Sequence, residues 1–300
     1  MELKAEIEKI AEELEGTLGV SVKNLETGEE AVVNGEMRFP MASVFKIPVI
    51  TTLYRKVDAG EIDLDDEIEL TGYAKVPGSG VLKELTLGLK LKIRDYRTLM
   101  MTISDNTATD TIVDLVGKGD VNKAMSELGL KKTTITKCRD ILFKIAGLGD
   151  IDPKDRTMEI FIEKMKGRKI ERVSKELKRG WENVTTPRDM MVLLEKIYRG
   201  EAASRGSCNK IIELMKKCQT GENRIWKYLP RDRVEVAHKT GTVDSVVNDV
   251  SLVFPKGKTP YILCAFTKDV EAEGGSREIV AIGEEAIAKV SKIAYEYFTA

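Results

Sequence analysis

The chain has 300 residues, enough for one large domain or two modest ones. An apolar share of 42% can build a sizeable core, and 48 Lys+Arg against 49 Asp+Glu leave a formal net charge of −1. This balance excludes a disordered chain, a nucleic-acid protein held by global charge and an acidic tail protein. No uncharged apolar run approaches the roughly 18 residues that a membrane helix needs.

Residues 2–15 carry Leu3, Ile7, Ile10, Ala11 and Leu14 at helical spacing. The start therefore reads as an amphipathic helix and not as a signal peptide; either export is absent or a signal was removed. Gly19–Lys23 and Ala31–Val33 alternate like strands, joined by a turn around Glu26-Thr27-Gly28. A helix is expected over 43–58, with a kink or a missing hydrogen bond at Pro48. Helical patterns then dominate to about residue 218. Asp120 reads as the N-cap of a helix over 121–128 that Gly129 stops, and Thr186-Pro187 opens another that ends at Gly200. Val234–His238, Val250–Phe254 and Tyr261–Thr267 read as three strands, and 276–298 as a closing helix. Together these predict an α/β fold of the α+β type. Terminal helices flank a five-stranded antiparallel sheet, with an all-helical domain inserted between the second and third strands. The lobes would be 1–42 with 220–300, and 43–219, with a cleft where the insert meets the sheet edge.

Cys138, Cys208, Cys218 and Cys264 form no C-x-x-C pair, which argues against zinc ribbons and thioredoxin-like sites. Cys208 and Cys218 are read onto one helix, where ten residues separate them by about 15 Å, too far for a disulfide. The single histidine, His238, excludes an H-E-x-x-H metal site. It leaves room for a Ser-His-Asp triad only if it is itself the base. Neither a metal nor a cofactor is expected. The many balanced Lys and Glu residues fit a heat-adapted protein melting above about 60 °C.

Three short motifs could carry chemistry. In Ser43-Val44-Phe45-Lys46 the serine and lysine share a helix face. A serine at a helix start sits among free backbone N–H groups, and apolar neighbours lower a lysine pKa, so that a neutral amine can take a hydroxyl proton. The same spacing recurs in Ser207-Cys208-Asn209-Lys210, read as surface on a charged helix. Ser104-Asp105-Asn106 separates two apolar helical runs. It reads as capping chemistry, or as a hydroxyl relay and a substrate clamp in a cleft. Lys239-Thr240-Gly241-Thr242 ends an apolar strand. It reads as an ordinary strand end, or as a close backbone approach with a cation for a carboxylate.

Taken in order, the three motifs resemble those of the penicillin-recognising serine hydrolases, class A β-lactamases and penicillin-binding proteins. Further stretches are similar to class A: Arg38-Phe39-Pro40-Met41, Asn106-Thr107-Ala108-Thr109, Thr185-Thr186-Pro187 and Asn248-Asp249. The resemblance implies a Ser43 acyl-enzyme on a β-lactam amide, with Lys46 as base or relay and Ser104 passing the proton to the leaving nitrogen. Asn106 would hold the substrate's side-chain amide, and Lys239 and Thr240 its carboxylate. The N–H groups of Ser43 and Thr242 would form the oxyanion hole beside Gly241. The implied partner is a small molecule, a β-lactam or a related amide or ester, with no nucleic acid and no membrane span, and the chain is expected to be monomeric. If a signal was removed, the family implies an extracytoplasmic location.

The E-x-x-L-N loop of class A is missing between Ser104 and Pro187. Spacing back from Thr185-Thr186-Pro187 makes Glu171 the candidate deacylation base, with Glu182 a poorer fit. Val247 stands after the third motif where the family often has an arginine, and Arg277 is the candidate substitute. Without a positioned water the acyl-enzyme would persist, as in an esterase or a D-alanyl-D-alanine peptidase-like penicillin-binding enzyme. The basic run from Lys164 to Arg179 reads as a solvated face, or as a lid for anionic substrates.

Overall fold

The computed structural model describes residues 2–166 and 182–300. The helices in that range are α1 Leu3–Glu13, α2 Lys46–Asp58, α3 Ile93–Thr102, α4 Asn106–Val116, α5 Lys118–Glu127, α6 Cys138–Ile145, α7 Met158–Met165, α8 Pro187–Arg199, α9 Arg205–Lys216 and α10 Ser276–Thr299. The strands are β1 Thr17–Asn24, β2 Glu30–Val33, β3 Phe39–Pro40, β4 Glu67–Glu69, β5 Lys90–Lys92, β6 Val184–Thr185, β7 Val234–Val243, β8 Val246–Pro255 and β9 Tyr261–Lys268. The main sheet has the order β2-β1-β9-β8-β7 with every pair antiparallel, as expected from the sequence. Pairing of β1 with β9 over eight residues, from Thr17↔Lys268 to Asn24↔Tyr261, joins the two ends of the chain.

Tyr261-Ile262-Leu263-Cys264-Ala265-Phe266 is apolar throughout because both faces of its strand are covered. Tyr261, Leu263 and Ala265 join the cluster under α1 and α10, with Leu3, Ile7 and Ile287. Ile262, Cys264 and Phe266 pack on the opposite face with Met190, Leu194 and Ile211 of α8 and α9. Each large apolar side chain removed from water in this way contributes about 1.5–3 kcal/mol. The edge left at the β7 side is where the helical part approaches.

Several local expectations need correction. Pro48 does not kink a long helix. The chain from Ala42 to Phe45 is a 3-10 turn and α2 begins only at Lys46. Proline therefore falls in the first turn, where a helix has no use for its N–H. Asp120 is not a cap; Gly117 (φ 86°) precedes α5, and Asp120 lies in its first turn, paired with Lys56. Cys218 lies two residues beyond α9 and not on it. Ser207 and Cys208 are buried and not on the surface, with Ser207 Oγ donating to Asp58 at 2.6 Å to tie α9 to the end of α2. Strand β7 runs on to Val243, so the third motif lies inside the strand. The short ladders β3–β6 and β4–β5 were not expected. The start and stop of α8 match the reading: Thr186 Oγ1 accepts from Asp189 N, Pro187 is first, and Gly200 ends the helix left-handed at φ 74°.

Candidate active site

The 3-10 turn that carries Ser43 is clamped from two sides. Asn248 Nδ2 of β8 donates to Pro40 O and Met41 O, at 2.8 and 3.1 Å. Asn183 O accepts from Met41 N, while Asn183 Nδ2 donates to Ala42 O. Strand β7 passes so close that a Cβ on Gly241 would lie 2.4 Å from Met41 O and 3.1 Å from Ser43 N. Only a glycine fits there, and the fit brings the Ser43 turn against the strand of Lys239 and Thr242.

The second motif serves as cap and as site. Asp105 caps α4 by accepting from Ala108 N, and its other oxygen accepts from Val81 N and Leu82 N, at 2.7 and 2.9 Å. That carboxylate thereby fastens the 77–82 loop to the turn, and Asn106 Nδ2 adds a bond to Pro77 O. Ser104 is held at φ 60°, uncommon outside glycine, which turns its side chain toward the two lysines.

Lys46 Nζ lies 3.1 Å from Ser43 Oγ, 2.9 Å from Ser104 Oγ, 2.7 Å from Ser104 O and 3.1 Å from Asn106 Oδ1. All four partners are neutral oxygens and the side chain is fully buried. Burial drives its pKa below the ordinary 10.5, against weaker attraction from Cys138, Asp105 and Asp110. An ammonium can only donate to these oxygens, whereas a neutral amine keeps a lone pair that can accept from one hydroxyl, and Ser43 is partly exposed and able to give.

Lys239 Nζ donates to Ser104 Oγ at 3.1 Å and to Thr240 O at 3.0 Å. Burial lowers its pKa to about 8, with the nearby Lys46 adding to the fall. Ser104 Oγ thus stands between two amines and can receive a proton from one side while giving its own on the other. Thr240 Oγ1 is 2.6 Å from Thr220 Oγ1.

The third motif also has a buried cation that sequence reasoning missed. Arg224 Nη2 donates to Thr242 Oγ1 at 2.6 Å, and Nη1 donates to Gly241 O and Asn248 O. Its Nε is 3.1 Å from Glu284 Oε1 of α10. Arg277 stands exposed in the first turn of α10, and the guanidinium that touches the Lys239–Thr242 strand is Arg224. No local pattern marks Arg224, since its partners come from three distant segments. His238 is not the base for Ser43: its Nδ1 is bonded to Asp249 at 3.0 Å, and the amine at Ser43 Oγ is Lys46. Glu171 lies outside the described residues, as do the members of the basic run from Arg168 to Arg179; Lys164 and Lys166 are exposed. Glu182 is exposed, with its carbonyl accepting from Thr134 Oγ1. Among the described residues no group of three or more His, Cys, Asp or Glu is arranged to hold a metal ion.

A family model described as the β-lactamase enzyme family matches residues 2–298. The chain belongs to the β-lactamase enzyme family. Among its relatives, β-lactamase VEB-1 of Pseudomonas aeruginosa is 25% identical over 308 residues, 99% of this chain and 90% of that protein. A solved β-lactamase from Sphaerobacter thermophilus is 31% identical with a TM-score of 0.78, covering 99% of this chain and 97% of its own. A mutant of PBP-A, solved as an acyl-enzyme complex with penicillin G, is 26% identical with a TM-score of 0.76, covering 99% and 96%. The fold is that of the β-lactamases and transpeptidases, and the enzyme is a serine β-lactamase, a hydrolase acting on β-lactams.

Proposed function

We propose that Ser43 is the acylated nucleophile of this β-lactamase and Lys46 its base. The observation that carries this is the buried amine whose hydrogen-bond partners are all neutral oxygens, 3.1 Å from a partly exposed hydroxyl. Ser43 Oγ attacks the lactam carbonyl carbon while its proton passes to Lys46 Nζ. Ser104 Oγ then gives its proton to the lactam nitrogen as the C–N bond breaks, and is recharged from Lys46. Lys239, Thr240 and Arg224 supply the charge and the hydroxyl for the substrate carboxylate, and Asn106 borders the substrate's side-chain amide. The N–H groups of Ser43 and Thr242 stabilise the oxyanion, each donor of this kind supplying about 3–4 kcal/mol.

Hydrolysis of the acyl-enzyme needs a base for water, and Glu171 is the proposed one. The second reading is an esterase or D-alanyl-D-alanine peptidase-like penicillin-binding enzyme that acylates well and deacylates slowly. It is favoured by the missing E-x-x-L-N sequence and by the likeness to PBP-A. We further propose that the lobes divide as 1–42 with 220–300, and 43–219, in a monomer. Labelling with a fluorescent penicillin tests the nucleophile: Ser43→Ala should take no label, and stoichiometric labelling of that variant would reject the assignment. Nitrocefin separates the two readings, since steady turnover supports rapid hydrolysis and a burst that stalls supports the second.

A further inference from the structure

Cys218 is the one cysteine residue that is partly exposed; Cys138, Cys208 and Cys264 are buried. It lies just after α9, with its sulfur 3.3 Å from Thr220 Oγ1. Thr220 Oγ1 in turn is 2.6 Å from Thr240 Oγ1, the hydroxyl assigned to the substrate carboxylate. On its other side stands His238, 1% exposed, whose Nδ1 is held by the fully buried Asp249 at 3.0 and 3.2 Å. The far ring nitrogen, Nε2, is buried and has no hydrogen-bond partner of normal geometry. The imidazole and the Cys218 thiol bias one another's protonation, the imidazole favouring the thiolate and the thiolate favouring the imidazolium. The charged groups around the sulfur are therefore His238 and Lys239 on β7, with Asp249 of β8 behind the imidazole and Lys46 on α2. A carboxylate-backed imidazole beside a thiol favours the thiolate, the form that attacks disulfides and soft electrophiles.

We propose that Cys218 is a reversible modification site for low-molecular-weight disulfides, and that its occupancy gates the carboxylate subsite through Thr220 and Thr240. In the reaction the Cys218 thiolate attacks one sulfur of the incoming disulfide. A new S–S bond forms, the old one breaks, and the second sulfur leaves as a thiolate that takes its proton from water. The disulfide is the only oxidant required. The adduct removes the negative charge beside His238 and pushes on the Thr220–Thr240 pair. The gating part rests on the assignment of Thr240 and Lys239 to the substrate carboxylate; the modification part does not.

Peptide mapping of the native enzyme after limiting iodoacetamide at pH 6.5 tests the site. Burial pushes the Cys218 pKa up, but His238 and the charge of Lys239 outweigh it and bring the value to about 6 against an ordinary 9.0. At that pH the thiolate fraction is on the order of 200-fold higher, offset about 20-fold by lower nucleophilicity, so alkylation should run about tenfold faster than that of free glutathione. The label should sit on Cys218 alone until the protein is denatured. A Cys218 rate no faster than glutathione, or equal labelling of the three buried thiols, would overturn the proposal. Oxidised glutathione should then raise KM for a carboxylate-bearing β-lactam about tenfold, through loss of the Thr240 contact. Dithiothreitol should reverse this, and Cys218→Ser should be indifferent. Complete glutathionylation with unchanged KM would overturn the gating. A chain that takes the label at Cys218 yet forms no penicillin adduct would keep the thiol site and reject Ser43 as nucleophile instead.

Discussion

Gly241→Ala tests the site through its tightest contact. The added Cβ would stand 2.4 Å from Met41 O, about 1 Å inside ordinary contact, and 3.1 Å from both Ala42 Cβ and Ser43 N. Met41 O is backbone, held in addition by Asn248 Nδ2, so no flexible side chain can give way. Strand β7 or the Ser43 turn must shift by most of that ångström. Overpacking of this kind destabilises by about 1–3 kcal/mol. A displacement of about 1 Å between reacting groups lowers a rate about 100-fold, equivalent to about 2.7 kcal/mol in the barrier. Acylation by benzylpenicillin, followed by stopped-flow or quenched mass spectrometry, should fall about 100-fold while the protein still folds. Gly119→Ala is the control: α5 leaves open space there, and the change should stabilise the helix by up to about 1 kcal/mol with no effect on acylation. Acylation of Gly241→Ala within twofold of wild type would refute the claim that this approach positions the serine.

Arg224→Ala should raise KM for carboxylate substrates several-fold and destabilise by about 3–5 kcal/mol in urea, because Glu284 is left largely buried without its cation; loss of less than 1 kcal/mol would contradict the pairing. Lys239 titrates at about 8 when folded against 10.5 unfolded, so the unfolded chain binds more protons between those values and unfolding free energy should climb as pH rises through that window. In the folded enzyme the lysine loses its charge around pH 8, so KM for a carboxylate substrate should increase from pH 7 to 9, and a flat profile would argue against its role. Asp105→Ala leaves three backbone N–H groups without their acceptor, Val81, Leu82 and Ala108, and should destabilise by about 3 kcal/mol with slower acylation. With shared ion pairs such as Lys56 with Glu61 and Asp120 and Lys23 with Glu30 and Glu195, calorimetry should give a melting temperature above about 60 °C, and a lower one would contradict the heat-adapted reading.

The sheet was legible because its strands obey local rules. Tyr261–Phe266 is apolar over a strand's length, and the caps of α8 are written in Thr186, Pro187 and Gly200. Where β7 ends was not legible, because Lys239-Thr240-Gly241-Thr242 lacks apolar alternation and is kept in the ladder by pairing with Val247–Val250. The ladders β3–β6 and β4–β5 span two and three residues, too short for any period, and form only once the elements they join have met. At Ser104-Asp105-Asn106 the two readings were not rivals. Asp105 caps the helix while its neighbours turn toward Lys46 and Lys239. Arg224 was hidden because its partners lie in β7, β8 and α10. Pro48 was misjudged because motif spacing does not distinguish a 3-10 turn from an α-helical one at Ser43.

The protonation of one amine decides whether Ser43 can be activated as described. In enzyme carrying 13C-enriched lysine Cε, the Lys46 resonance, assigned by loss in Lys46→Ala, should titrate at a lower pH than every surface lysine. A Lys46 signal that stays in its ammonium form until the exposed lysines deprotonate would contradict the account.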